Sequence, residues 1–116
     1  MKEIVILGGP NGAGKTTAAR VLLPKFPNVH EFLNADEFAR AICPKNPESA
    51  ALAAGRRMLE KTRELVGLNR SFGIETTLSG RSYLHLFRRC KQDGWRITLL
   101  YLWLPSPEAA IKRVAR

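Results

Sequence analysis

Gly9, Gly14, Lys15 and Thr16 fall at the spacing G-x-x-x-x-G-K-[ST], with Gly12 adding a third glycine to the stretch. Residues of these types at this spacing hold phosphates. The glycines let the backbone curl until several N–H groups converge on one anion. The lysine ammonium reaches the β- and γ-phosphates, and the threonine hydroxyl serves as a Mg²⁺ ligand. Gly9, Pro10, Asn11, Gly12, Ala13, Gly14, Lys15, Thr16 and Thr17 are therefore expected to bind a nucleotide. Lys15 has a catalytic role as well, Thr16 is the metal ligand, and ATP and Mg²⁺ are the expected cofactors.

Two carboxylates extend this chemistry. Asp36 ends Phe32-Leu-Asn-Ala-Asp36, and Glu75 sits in Ile74-Glu-Thr-Thr77. Asp36 follows one short strand candidate and Glu75 ends another. Parallel α/β sheets bind ligands outside the carboxyl ends of their strands, so both acids are expected on the same rim as the glycine loop. Phosphoryl transfer to a hydroxyl needs a phosphate cradle, a metal, and a carboxylate that orients and deprotonates the acceptor. Plainer roles stand beside these. Asp36 has the right chemistry for a helix N-cap, Glu75 for an exposed strand end, and Thr76, Thr77 and Ser79 for caps of the next helix. His30 and His85 lack companions at metal or triad spacing.

The elements that must position these groups alternate. Residues 2–7 read as a buried strand and 15–23 as a helix closed by Pro24 and Pro27. A short strand follows over 31–34, a brief helix over 36–42, and a turn-rich connection over 43–47. A longer helix is expected over 49–69, with Leu52, Leu59 and Val66 as its apolar repeat and Ala51, Met58 and Leu65 beside them. Met58 reads as core. A third strand spans 71–75, weakened by Gly73. The helix over 81–92 carries Tyr83, Leu84, Phe87 and Cys90, and Gly94 ends it. Residues 95–104 form the most apolar strand. Ser106 and Pro107 then open a final helix with Ile111 and Val114 on one face. Alternation of this kind predicts an α/β three-layer sandwich with a mostly parallel sheet, in one domain over residues 1–116.

The strand over 95–104 ends in Leu-Pro, without the Walker B carboxylate of motor and transporter ATPases, and Asn-Lys-x-Asp is absent, which argues against a GTPase. Nineteen Lys and Arg against ten Asp and Glu give a net charge of +9. That field favours anionic partners, but the basic residues are dispersed and no nucleic-acid-binding signature accompanies them, so nucleic acid is not the expected partner. Cys43 and Cys90 read as free thiols. No apolar run reaches the ~20 residues of a membrane span, and a cytoplasmic protein is expected.

Taken with their joint spacing, Gly8–Thr17, Asn34-Ala-Asp-Glu-Phe-Ala-Arg40, Ala54-Gly-Arg-Arg-Met58, Phe72-Gly-Ile-Glu-Thr-Thr-Leu-Ser-Gly80 and Leu102-Trp-Leu-Pro-Ser-Pro-Glu108 resemble the zeta-toxin family of P-loop kinases over essentially the whole chain. The resemblance implies ATP-dependent phosphoryl transfer to a hydroxyl of a small acceptor, UDP-N-acetylglucosamine being the acceptor of founding members. By position it implies Asp36 as catalytic base, Glu75 and Thr77 as substrate- and metal-side residues, and Arg113 as a first lid-side arginine. An antitoxin protein is the partner it suggests. Family members continue beyond the point where this sequence stops, so the kinase domain is expected to be incomplete at its C-terminus. The edge of the last apolar strand is then open, and the alternative function is a nucleotide-binding module without catalysis.

Overall fold

The computed structural model describes residues 1–10, 14–76, 81–102 and 111–115, the last as backbone only. β1 (Glu3–Gly8) is buried at every position. Its neighbours explain why. It pairs in parallel with β3 (Phe72–Thr76) on one side and with β4 (Arg96–Leu102) on the other. β2 (Phe32–Leu33) lies outside β3, also parallel. β5 (Ile111–Ala115) runs antiparallel along the far side of β4, giving the order β2-β3-β1-β4-β5. Near-continuous apolar strands are what a sheet covered on both faces demands.

Period-two alternation divides β1 between the two faces. Ile4 and Ile6 join a core with Met58 and Leu65 of α3 (Ala51–Gly67) and with Phe87 and Cys90 of α4 (Arg81–Gln92). Val5 and Leu7 face the other way, against Ala18 and Ala19 of α1 (Lys15–Leu22), with Phe26, Leu100 and Leu102. Each large aliphatic or aromatic side chain fully removed from water contributes roughly 1.5–3 kcal/mol before its entropy cost. α2 (Ala35–Ile42) docks on the start of α3 through Ala39, Ala50 and Ala54, whose small side chains let the two backbones come close. The result is the expected three-layer α/β sandwich with four parallel strands.

Local departures from expectation have physical causes. On α3 the buried residues are Ala54, Met58, Thr62 and Leu65, while Leu52 is 73% exposed. The helix meets α2 at one end and the sheet along its length, and a 3.6-residue period follows that line better than the heptad Leu52–Leu59–Val66. Thr62 can sit in the stripe because its hydroxyl donates to the Met58 carbonyl at 2.7 Å. On α4, Leu84 stays half-exposed and Leu86 packs instead. Gly73, which weakened the reading of β3, is needed there: a Cβ would lie 2.7 Å from Cδ1 of the Phe32 ring on β2. Gly94 takes a left-handed φ of 90° after α4, and the Trp95 N–H returns to the Cys90 carbonyl.

The largest correction concerns the end of the chain. Residues 111–115 form β5, not the second half of a helix. Ile111 and Val114 are β-branched and suit a strand, and pairing with β4 closes the row of backbone groups that an apolar edge would otherwise leave open. The expected open edge of β4 is therefore covered. The Ser106–Pro107 start of that helix lies outside the described residues. Cys43 and Cys90 are both free thiols. Among the described residues no helix is long and apolar enough to cross a membrane.

Candidate active site

The glycine loop leaves the carboxyl end of β1, between the ends of β3 and β4. Gly9 has a φ of 141°, and a Cβ there would overlap the Leu102 carbonyl oxygen. Only glycine permits that approach of two backbones. Gly14, at φ 85°, is the left-handed residue that opens α1. Lys15 begins the helix and is 6% exposed. Its Nζ donates to the carbonyls of Gly9 at 2.7 Å and Pro10 at 3.0 Å. The ammonium is thus buried but satisfied, clamped under its own loop. Thr16 and Thr17 follow on the exposed side of α1.

Sheet register delivers the second group. Leu7 pairs with Glu75 and Gly8 with Thr76, so Glu75 stands level with the end of β1. The Thr16 hydroxyl donates to Glu75 Oε1 at 3.4 Å, a long contact that holds the two side chains together. Burial pushes the Glu75 carboxyl above its ordinary value. The Lys15 charge and hydrogen bonds from Thr16 and Asn34 oppose that rise, while the Asp36 charge adds to it.

The third group is set by a cap. Asn34 is the N-cap of α2, and its Oδ1 accepts from the Asp36 N–H at 2.7 Å. Asp36 is therefore not the cap that its residue type allowed. It sits inside the first turn, exposed, with its carboxylate free of the capping task. Lys15, Asn34, Ala35, Asp36, Met58, Glu75 and Thr76 line one cavity of about 300 Å³. Sequence reasoning placed Lys15, Asp36 and Glu75 here and missed the other four, among them Asn34 and Met58. Asn34 lacked an assigned role, although Asn just before a helix is the standard N-cap signal. Met58 was read as core alone; it is buried in the core and also lines the cavity.

Other expected residues are placed differently or lie outside the description. Arg113 belongs to β5, opposite Leu100, and not to a helix beside the loop, because the chain there pairs with β4. Asn11, Gly12, Ala13 and Thr77 are outside the described residues.

The donor set fits the groups that the loop implies. Two glycines in left-handed geometry, a buried lysine whose Nζ donates to two backbone carbonyls, and the N-terminus of α1 form an anion cradle. The Thr16 hydroxyl and Glu75 carboxylate are hard oxygen donors suited to Mg²⁺.

A family model described as an AAA domain matches residues 4–116. The chain belongs to this AAA domain family. It is a nucleotide-binding P-loop domain of the kinase-like type. An uncharacterized protein of Haemophilus influenzae is 30% identical to this AAA domain over 108 aligned positions, a match that covers 91% of the chain and 74% of that protein. Among solved structures, a chain from the Pnkp1/Rnl/Hen1 complex superposes with a TM-score of 0.61 at 20% identity, which is a likeness of fold. The match covers 99% of the AAA domain described here but spans 45% of the solved chain.

Proposed function

We propose that this protein is an ATP-dependent phosphotransferase of zeta-toxin type that moves the γ-phosphoryl group to a hydroxyl of a small acceptor. The observation that carries the reading is the convergence of Lys15, Asp36 and Glu75 on one cavity, from three elements far apart in sequence. A glycine loop alone would serve any triphosphate chemistry. A carboxylate across the cavity from the loop lysine serves transfer to an acceptor.

In this reading the triphosphate lies along the loop, and Lys15 exchanges the carbonyls of Gly9 and Pro10 for phosphate oxygens. Asp36 orients the acceptor hydroxyl and takes its proton as the oxygen attacks. Thr16 and Glu75 would hold Mg²⁺, which when bound offsets the charge of the phosphates. UDP-N-acetylglucosamine is the acceptor that the zeta-toxin resemblance offers.

Asp36→Asn tests the assignment because it keeps size and polarity and removes the base. Transfer should fall by roughly 10²-fold or more while ATP affinity stays within a few-fold. Transfer at the wild-type rate would remove Asp36 from the mechanism. ATP binding with no transfer to any small hydroxyl compound would favour the non-catalytic nucleotide-binding module instead.

A further inference from the structure

Basic residues that lie dispersed along the sequence gather on one layer of the fold. α3 and α4 pack on the same face of the sheet, through Met58, Leu65, Phe87 and Cys90. α3 carries four Lys and Arg against two Glu, and α4 four against none. This outer layer thus holds a net +6 of the chain's +9.

α4 is the centre of that charge. Tyr83, Leu86, Phe87 and Cys90 turn to the core. A 3.6-residue period then puts Arg81, His85 and Arg88 on one line facing away from it, with Arg89 and Lys91 on the two flanks. All five are exposed. Arg63 of α3 stands at the seam between the helices: burial raises the Tyr83 pKa, and the Arg63 charge pulls against that rise. The stability of α4 does not account for the pattern. Arg89 and Lys91 in the last turn suit the helix dipole, but Arg81 at the first position opposes it, and cations one turn apart repel. On α3, Glu60 and Glu64 stand within a turn of its arginines and offset them. α4 has no acid of its own, and Asp93 follows only after its last turn.

The kind of partner follows from what else the face offers. An anionic membrane needs a broad apolar face to insert, and that of α4 is spent on the core. A folded acidic protein needs apolar anchors at the centre of the contact, where α4 exposes Leu84. A phosphodiester backbone needs neither. Its charges repeat every ~3.4 Å along each strand, guanidinium forks match phosphate oxygens, and a helix of this length spans roughly 18 Å.

We propose that the outer face of α4, with Arg63 beside it, binds the phosphate backbone of a nucleic acid without reading its sequence. The surface is separate from the cavity of Lys15, Asp36 and Glu75, whose lining comes from other elements. Binding there neither requires nor reports phosphoryl transfer.

The test is fluorescence anisotropy of the whole chain with labelled DNA and RNA duplexes of one sequence, ~20 base pairs long, at ~50 mM salt. At least one duplex should bind with a Kd of ~1–100 μM and weaken steeply as salt rises; the tighter of the two names the source. Arg81→Gln, Arg88→Gln and Arg89→Gln combined should weaken binding at least about tenfold and flatten the slope of log K against log salt by about 2 to 3. A charge-matched control, Arg20→Gln with Lys25→Gln and Lys45→Gln, removes three exposed cations elsewhere and should stay within about threefold of wild type. Both triples should melt with the wild type, as exposed substitutions usually do. The single Arg88→Gln, exposed in mid-helix, should cost about two- to threefold and serves if the α4 triple melts early. Equal losses in the two triples, no binding of either duplex at ~100 μM protein, or tighter binding to phosphatidylserine vesicles or to polyglutamate in the same salt overturns the proposal.

Discussion

Glu75 is held where its ionised form is disfavoured. Burial raises its pKa, and the Lys15 charge and the Thr16 and Asn34 hydrogen bonds only partly offset that. Since the folded pKa exceeds the unfolded one, folding favours the protonated form. That contribution is complete below the unfolded value and is lost as pH rises through the folded value, so at neutral pH ionised Glu75 works against stability. Glu75→Gln should therefore raise the melting temperature of the ligand-free protein at pH 7 by a few degrees, with the gain vanishing well below the ordinary Glu value, at ~pH 3, where the wild-type carboxyl is protonated both folded and unfolded. Parallel melts of the two proteins across this pH range check it; a gain that grows in acid would contradict the sign. The same variant should lose transfer, as expected of a site where stability is traded for function. Tyr83 and Cys90 also have raised pKa values, both mainly from burial, but they pack against the core away from the loop.

At the scale of elements, the cap that starts α2 fixes the direction of Asp36. Asn34 is 6% exposed and makes one hydrogen bond to the helix and another towards Glu75. Asn34→Ala should cost about 1 kcal/mol in denaturant melts, the usual value of a lost cap. It should also reduce transfer more than it reduces nucleotide binding, because the first turn that carries Asp36 loses its anchor; equal losses in both would show that the cap is only structural. Asn34→Ser, which can cap without adding a charge beside Glu75, should recover most of the capping stability. The strand pairing of β1 with β3 is the second positioning device. Its register sets Glu75 at the level of the loop, and Gly73 makes room for Phe32, which keeps β2 and the start of α2 against β3.

At the scale of the molecule, a nucleotide that binds only the folded state must stabilise it. At an ATP analogue concentration of ~100 times its Kd with Mg²⁺, linkage gives about 2.7 kcal/mol. For a domain of this size that is a rise in melting temperature on the order of 10 °C. Lys15→Ala should abolish the shift, since it removes the cation whose Nζ is held by the loop carbonyls of Gly9 and Pro10. A preserved shift in that variant would show that the nucleotide is held elsewhere. Because the protein carries a net charge of +9, the shift should shrink as salt is added.

The sequence by itself determined the parts whose signal is local. Glycine spacing specified the loop, since Gly9 and Gly14 take positive φ angles that favour glycine. Apolar runs specified β1 and β4, and the alternation of strand and helix specified the α/β class. What depended on contacts between distant residues was decided by the tertiary structure alone. Which face of α3 turns inward depends on where α2 lands, so Ala54 and Thr62 are buried and Leu52 is not. Residues 111–115 carry a helix start signal upstream and strand-forming side chains, and the open side of β4 decides for the strand. Asp36 and Asn34 were each able to cap α2, and geometry gives the cap to Asn34. The closeness of Lys15, Asp36 and Glu75 was an inference from topology, and its measure, one cavity with the Thr16 hydroxyl 3.4 Å from Glu75, exists only once the strands are in register.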